Sequence, residues 1–171
     1  EPRYLDLVRQ CSREGSPFGV SLILEGSEAG GPALPAAVGT TARIVDFYTL
    51  PDGLLGICCV GEERFRVRQT QMRDNGLIIG EVEQRQRFEA EPVPAQFGLL
   101  AQLLERLVEH VGGPYADASK SLFDDAHWVG FRLAELLPFD AHMRQSLLEL
   151  DCASERLQQI LAALPQFQGE G

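Results

Sequence analysis

The spacing of apolar positions changes period once along the chain. Tyr4, Leu7, Val8 and Cys11 recur at helical intervals, and Gly15 follows where a left-handed cap is favoured, so residues 2–14 are predicted to form an amphipathic helix. A compact apolar run over 18–24 comes next. Residues 25–36, rich in Gly, Ala and Pro, read as a surface loop. Over residues 37–82 the pattern is that of strands: 38–47, 54–60, 64–70 and 77–82 are separated by Pro51-Asp52-Gly53, Gly61-Glu62-Glu63 and Asp74-Asn75-Gly76, each a turn signal. Short strands joined by tight turns predict an antiparallel, curled sheet rather than alternating strand and helix units.

Residues 89–94 hold two prolines and two acids, and beyond them the period is helical. A boundary near residue 90 divides the chain into a β-rich lobe with one helix (1–90) and a helical lobe (91–171). Phe97, Leu100, Leu104, Leu107, Val108 and Val111 form one stripe that ends at Gly112-Gly113. A second helix runs through Val129, Leu133, Leu136 and Leu137, with Asp124 or Asp125 near its start and Pro138 closing it. Asp140 can cap a third through Met143, Leu147 and Leu150. Leu157, Ile160, Leu161 and Leu164 mark a fourth, which Pro165 is expected to stop, leaving 166–171 as a frayed tail. Short connections between such helices predict an antiparallel bundle.

Length and composition narrow the classes. The 171 residues, 44% of them hydrophobic, suffice for a buried core without staples. The longest apolar runs, such as 54–60, fall far short of the roughly 20 residues of a membrane-spanning helix. The charged start does not read as a secretory signal, and a cytoplasmic location is expected. Net charge is -10, which opposes broad attraction to phosphate backbones or acidic membranes. It is uneven: residues 1–88 carry ten arginines and twelve acids, residues 89–171 five bases and thirteen acids. Cys11, Cys58, Cys59 and Cys152 include no pair at metal-knuckle or redox-motif spacing, and buried, reduced thiols are expected.

Phe47, Tyr48 and Leu50 flank the Pro51-Asp52-Gly53 turn, where an exposed apolar side chain is expected; they are the candidate peptide-contact surface, with packing against the helical lobe as the alternative. Arg64, Arg66 and Arg68 alternate along one predicted strand and share a face, a candidate anion or partner contact, or else a polar face paired to Glu81 and Glu83. Glu62 and Glu63 read as solvated turn residues. His110, His127 and His142 are too far apart to form a zinc motif. His110 reads as a helix-end residue, and His127 beside Asp124 and Asp125 as part of a helix start, with a weak metal or acid-base cluster as the alternative. No catalytic residue, metal site or cofactor is assigned.

The motifs resemble a known family. Glu1-Pro2-Arg3-Tyr4 opening a helix that ends near Gly15, then Pro17-Phe18-Gly19-Val20, is similar to the start of the Lon protease N-terminal domain. Val38-Gly39-Thr40-Thr41-Ala42-Arg43-Ile44 resembles its V-G-T-x-A-x-I strand, and Gly61-Glu62-Glu63-Arg64-Phe65 its G-x-x-R-F strand. In the helical half, the leucine-proline stop at Leu137-Pro138 precedes Gln145-Ser146-Leu147-Leu148-Glu149 and Arg156-Leu157, as in the family's Q-x-L-L-E helix. The resemblance implies an α+β fold, with a PUA-like antiparallel β pseudo-barrel lobe carrying one helix, followed by an α-helical bundle lobe. It also implies a non-catalytic module that recognises polypeptide segments, unfolded or specific, as an adaptor in bacterial-type protein quality control. The family has a proline-rich apolar strand ahead of its E-P-R-Y helix, whereas this sequence begins at Glu1. A strand missing there would leave a neighbour with unpaired backbone groups.

A whole Lon protease adds a phosphate loop and a serine-lysine dyad. The one lysine sits in Ser119-Lys120-Ser121; a phosphate loop would need glycines where Pro114 and Ser119 stand, and adjacency of serine and lysine in sequence makes no dyad. Residues Gly39, Arg43, Gly61, Arg64 and Phe65 are expected to define the fold rather than contact ligand. Two rival readings follow from the same sequence: a PUA-like RNA-binding protein, which steep salt dependence would reveal, and a stand-alone hydrolase with an unfamiliar site, which turnover of casein or esters would reveal.

Overall fold

A computed structural model describes residues 1–25 and 34–167. The chain forms two compact units, residues 1–87 and 88–171. The class is the expected α+β, with antiparallel strands in the first unit and helices in the second.

In the first unit, helix α1 (Pro2–Glu14) ends on Gly15 in the left-handed conformation, its N–H bonded back to the Cys11 carbonyl. Strands β1 (Phe18–Val20), β4 (Val38–Thr49), β5 (Leu55–Met72) and β6 (Ile78–Gln84) form an antiparallel sheet in the order β1-β4-β5-β6, and β2 (Ile23–Glu25) pairs with β3 (Leu34–Pro35) in a separate ladder. The apolar run over 18–24 is thus split between two strands. The loop expected over 25–36 is strand at Glu25 and at Leu34–Pro35, and its middle, 26–33, lies outside the described residues.

Gly61-Glu62-Glu63 does not reverse the chain. It bends β5, which runs on for 18 residues. The register passes from Thr40↔Arg64 to Ala42↔Gly61, so two residues of β5 bulge against one of β4. At the bulge the Thr41 hydroxyl accepts from the Glu63 N–H (3.0 Å) and donates to its carbonyl (3.3 Å). Arg43 holds the Glu62 carboxylate (Nε to Oε1, 2.6 Å) and donates to the Gly15 carbonyl; Arg87 holds Glu63. The two acids are therefore half-screened ion-pair partners in a bent strand rather than solvated turn residues. Phe65 is buried on the other face. A Cβ on Gly39 would lie 2.5 Å from the Phe65 ring and 2.5 Å from the Val20 carbonyl, so only glycine lets the ring and β1 approach together there.

In the second unit, a 3-10 turn (Ala95–Phe97) leads into α2 (Gly98–Val111), followed by α3 (Ala126–Leu136), α4 (Ala141–Glu149) and α5 (Ala153–Ala163). Asp125 and Asp140 cap α3 and α4 by accepting from His127 N–H (3.0 Å) and Met143 N–H (2.7 Å). One core joins the four helices, centred on Leu100, Leu104, Leu133, Leu147, Leu157 and Ile160, all fully buried. Helix α5 stops at Ala163, ahead of Pro165 as expected; a 3-10 turn (Leu164–Phe167) follows, in which Phe167 packs on Phe139 at 5.3 Å between ring centroids. Of the expected frayed tail, Gln166 is exposed, Phe167 is packed and 168–171 lie outside the described residues.

Candidate functional site

The sheet is four strands wide only near its middle. Strand β1 pairs with β4 at Thr40–Ala42 alone, and β6 pairs with β5 only from Phe65 to Met72. Strands β4 and β5 continue together through pairs Ile44↔Cys59 to Thr49↔Leu55, and among the described residues no third strand borders either one there. The result is a two-stranded ribbon with both edges open. It is closed at Leu50–Leu54, where Leu50 N–H donates to the Leu54 carbonyl (2.8 Å) and Asp52 accepts from Leu54 N–H (3.1 Å).

The ribbon is apolar and solvent-facing. Phe47 is 45% exposed, Tyr48 53%, Leu54 62% and Leu55 53%; Val45, Leu50 and Val60 are exposed as well. Tyr48 lies across Gly56 of the opposite strand, where a Cβ would come within 2.4 Å of the ring, and Phe47 stands opposite Ile57. Phe47, Tyr48 and Leu50, singled out from the sequence, thus sit together at the closed end of the ribbon. Leu54 and Leu55 were missed. Their local pattern is that of an ordinary strand, and what leaves them exposed is the early end of β6, which no residue near them encodes.

The cysteines also differ from expectation. Cys11 is buried, but Cys58, Cys59 and Cys152 are exposed; Cys58 and Cys59 lie on the ribbon. Burial, and then the charge of a Cys58 thiolate, push the Cys59 thiol above its ordinary range, which disfavours a thiolate nucleophile.

Arg64, Arg66 and Arg68 do not form a regular row. A register shift between Val67↔Val82 and Gln69↔Glu81 leaves Arg68 in a bulge. Arg66 stands opposite Glu83, Arg68 is ion-paired to Glu83, Arg64 is half-buried, and Gln69 rather than an arginine donates to Glu81.

The second unit buries one cation completely. Arg156 donates from Nε to the Leu147 carbonyl (3.0 Å) and from an Nη to the Leu150 carbonyl, closing the α4–α5 connection; its guanidinium carbon lies 3.8 Å from the Phe131 ring centroid. His127 stacks on Phe88 (3.9 Å between centroids), with Nδ1 3.4 Å from Arg156 and Nε2 3.5 Å from Glu91. His127 is therefore a core residue, and Asp125 is occupied as a cap. The sequence did carry a signal for Arg156, which occupies a position inside the Ala153, Leu157, Ile160 stripe. Tyr115 donates to Glu135 (2.8 Å); burial first and this bond second raise its pKa. Lys120 is exposed at the start of a 3-10 turn whose flanking Ser119 and Ser121 hydroxyls bond each other at 2.9 Å. Among the described residues no cluster of metal-ligating side chains occurs, and no helix is long and apolar enough to cross a membrane.

The family model of the ATP-dependent protease La (Lon) substrate-binding domain matches residues 1–166. The chain belongs to this family. A crystal structure of a Lon N-terminal domain protein from Xanthomonas campestris is 45% identical, with a TM-score of 0.76 over 95% of this chain and 85% of that one. The N-terminal domain of a Lon protease from the Mycobacterium avium complex shares the fold at 14% identity, with a TM-score of 0.55 over 85% and 89% of the two chains. Comparison with curated proteins found no match. Membership in the Lon substrate-binding family supports a binding role. The family motifs themselves lie away from the ribbon tip: Gly39, Arg43, Gly61 and Phe65 build the bulge and the packed face beneath it.

Proposed function

We propose that this chain binds extended polypeptide segments without bond-making chemistry, that the β4–β5 ribbon is its contact surface, and that it serves as an adaptor for unfolded or specific protein substrates. The observation carrying this is the ribbon itself: two open strand edges that also present Phe47, Tyr48, Leu50, Leu54 and Leu55 to solvent. An extended segment can add main-chain hydrogen bonds to such an edge and seat alternate side chains on the exposed rings. Soluble proteins usually shorten, cover or charge such edges, so a long apolar one has a partner or a liability. Membership in a substrate-binding family favours the partner. In the candidate arginine row, Arg68 is engaged by Glu83 and Arg66 stands opposite the same residue, which weighs against a phosphate ligand there.

The test is titration of the full chain with a fluorescently labelled, permanently unfolded protein, for native sequence and for a Phe47→Ser/Tyr48→Ser/Leu50→Ser variant. Saturable binding that weakens at least about tenfold in the variant is expected from loss of well over 1.4 kcal/mol of apolar contact. Equal binding by both proteins would remove the ribbon from the account, and no binding by the native chain would remove peptide recognition.

A further inference from the structure

The ribbon's charge is as one-sided as its hydrophobicity. Residues 44–60 contain Asp46 and Asp52 and no basic residue, although the first unit holds ten arginines. The nearest in sequence, Arg43, is turned to Glu62 and the Gly15 carbonyl at the ribbon base. Open edges are commonly protected by lysine. Here the only charges are two carboxylates, both exposed. They bracket the aromatic stretch: Asp46 precedes Phe47, and Asp52 sits at the tip beyond Leu50. Each uses one oxygen locally, accepting from Phe47 N–H (2.8 Å) and Leu54 N–H (3.1 Å), which fixes the carboxylates beside the exposed apolar surface.

We infer that the ribbon selects extended segments with an apolar core flanked by Lys or Arg, a preference that rests on the peptide-binding reading above and specifies its substrate class. A strand rises about 3.4 Å per residue, so the span from Asp46 to the turn matches a core of roughly four to six residues. A segment laid along it places its flanking residues near the two carboxylates. Acidic flanks meet like charge at both ends, within a molecule whose net charge is -10. Exposed charge pairs are individually weak and screened beyond about 10 Å at 0.1 M salt, so the effect is a bias among apolar segments rather than a source of affinity.

The experiment uses the full chain and three labelled peptides sharing one six-residue apolar core, flanked at both ends by Lys-Lys, Ser-Ser or Glu-Glu. Titrations are run at low and high salt on the native protein, on Asp46→Asn/Asp52→Asn, and on a charge-matched control in the second unit, Glu105→Gln/Glu109→Gln. Asparagine keeps the oxygen that accepts each local N–H, so the hairpin is retained. The expected order at low salt is Lys over Ser over Glu, roughly three- to tenfold between the extremes. It should collapse in the ribbon variant and at 0.5 M salt, and survive in the control. Equal binding of all three peptides would overturn the charge preference while leaving peptide binding intact. An order unchanged in the ribbon variant would overturn it too, assigning the effect to the whole molecule's field. Failure of every peptide to bind would overturn the underlying reading and this inference with it.

Discussion

Gly39 shows how one atom specifies the sheet. Its missing Cβ is what lets Phe65 and the Val20 carbonyl meet at the β1–β4 crossing, and Gly39→Ala is expected to destabilise the chain by about 1–3 kcal/mol, the usual range for overpacking, read as a lower urea midpoint. Arg156 is the corresponding residue of the helical unit. Arg156→Ala leaves the Leu147 carbonyl without its donor and a hole beside Phe131, and should cost roughly 3–5 kcal/mol in thermal or urea unfolding; a loss under 1 kcal/mol would show that the guanidinium is dispensable. Tyr115 predicts a pH dependence. Its raised pKa means the folded state holds the phenolic proton more tightly, so its contribution is complete below the ordinary tyrosine value of about 10 and is lost as pH rises through the higher folded value. Stability measured from pH 8 to 11 should therefore fall less steeply at the alkaline end in Tyr115→Phe than in the native chain.

Among the elements, α3 and α4 were legible because period and cap coincide. Asp140 and the stripe through Met143 and Leu147 define α4 in the sequence, and the structure places the cap bond there; Asp140→Ala should cost about 1 kcal/mol. The strands were legible in kind but not in extent. Gly61-Glu62-Glu63 carries the composition of a turn, yet it is a bulge, because Thr41, Arg43 and Arg87 on other segments satisfy its backbone and carboxylates. At the bulge a tertiary partner overrides a local signal. Pro165 does mark the end of the last α-helix, which stops at Ala163, and the 3-10 turn beyond it is held by Phe167 packing on Phe139. The same limit applies to the candidate site. The exposure of Phe47, Tyr48 and Leu50 followed from a turn between apolar strands, whereas the open edges depend on where β1 and β6 stop pairing.

For the whole molecule, the family assignment explains why the motif residues cluster at the base of the sheet and not at its exposed end. A binding family can keep Gly39, Arg43 and Phe65 as a frame and present different side chains on the ribbon. Backbone hydrogen exchange of the intact chain, with and without a saturating unfolded peptide, tests the central claim most directly. The account predicts added protection over residues 44–49 and 55–60, where open strand edges gain a partner, with little change in α2–α5. Protection confined to residues 88–171, with the ribbon exchanging as before, would contradict it.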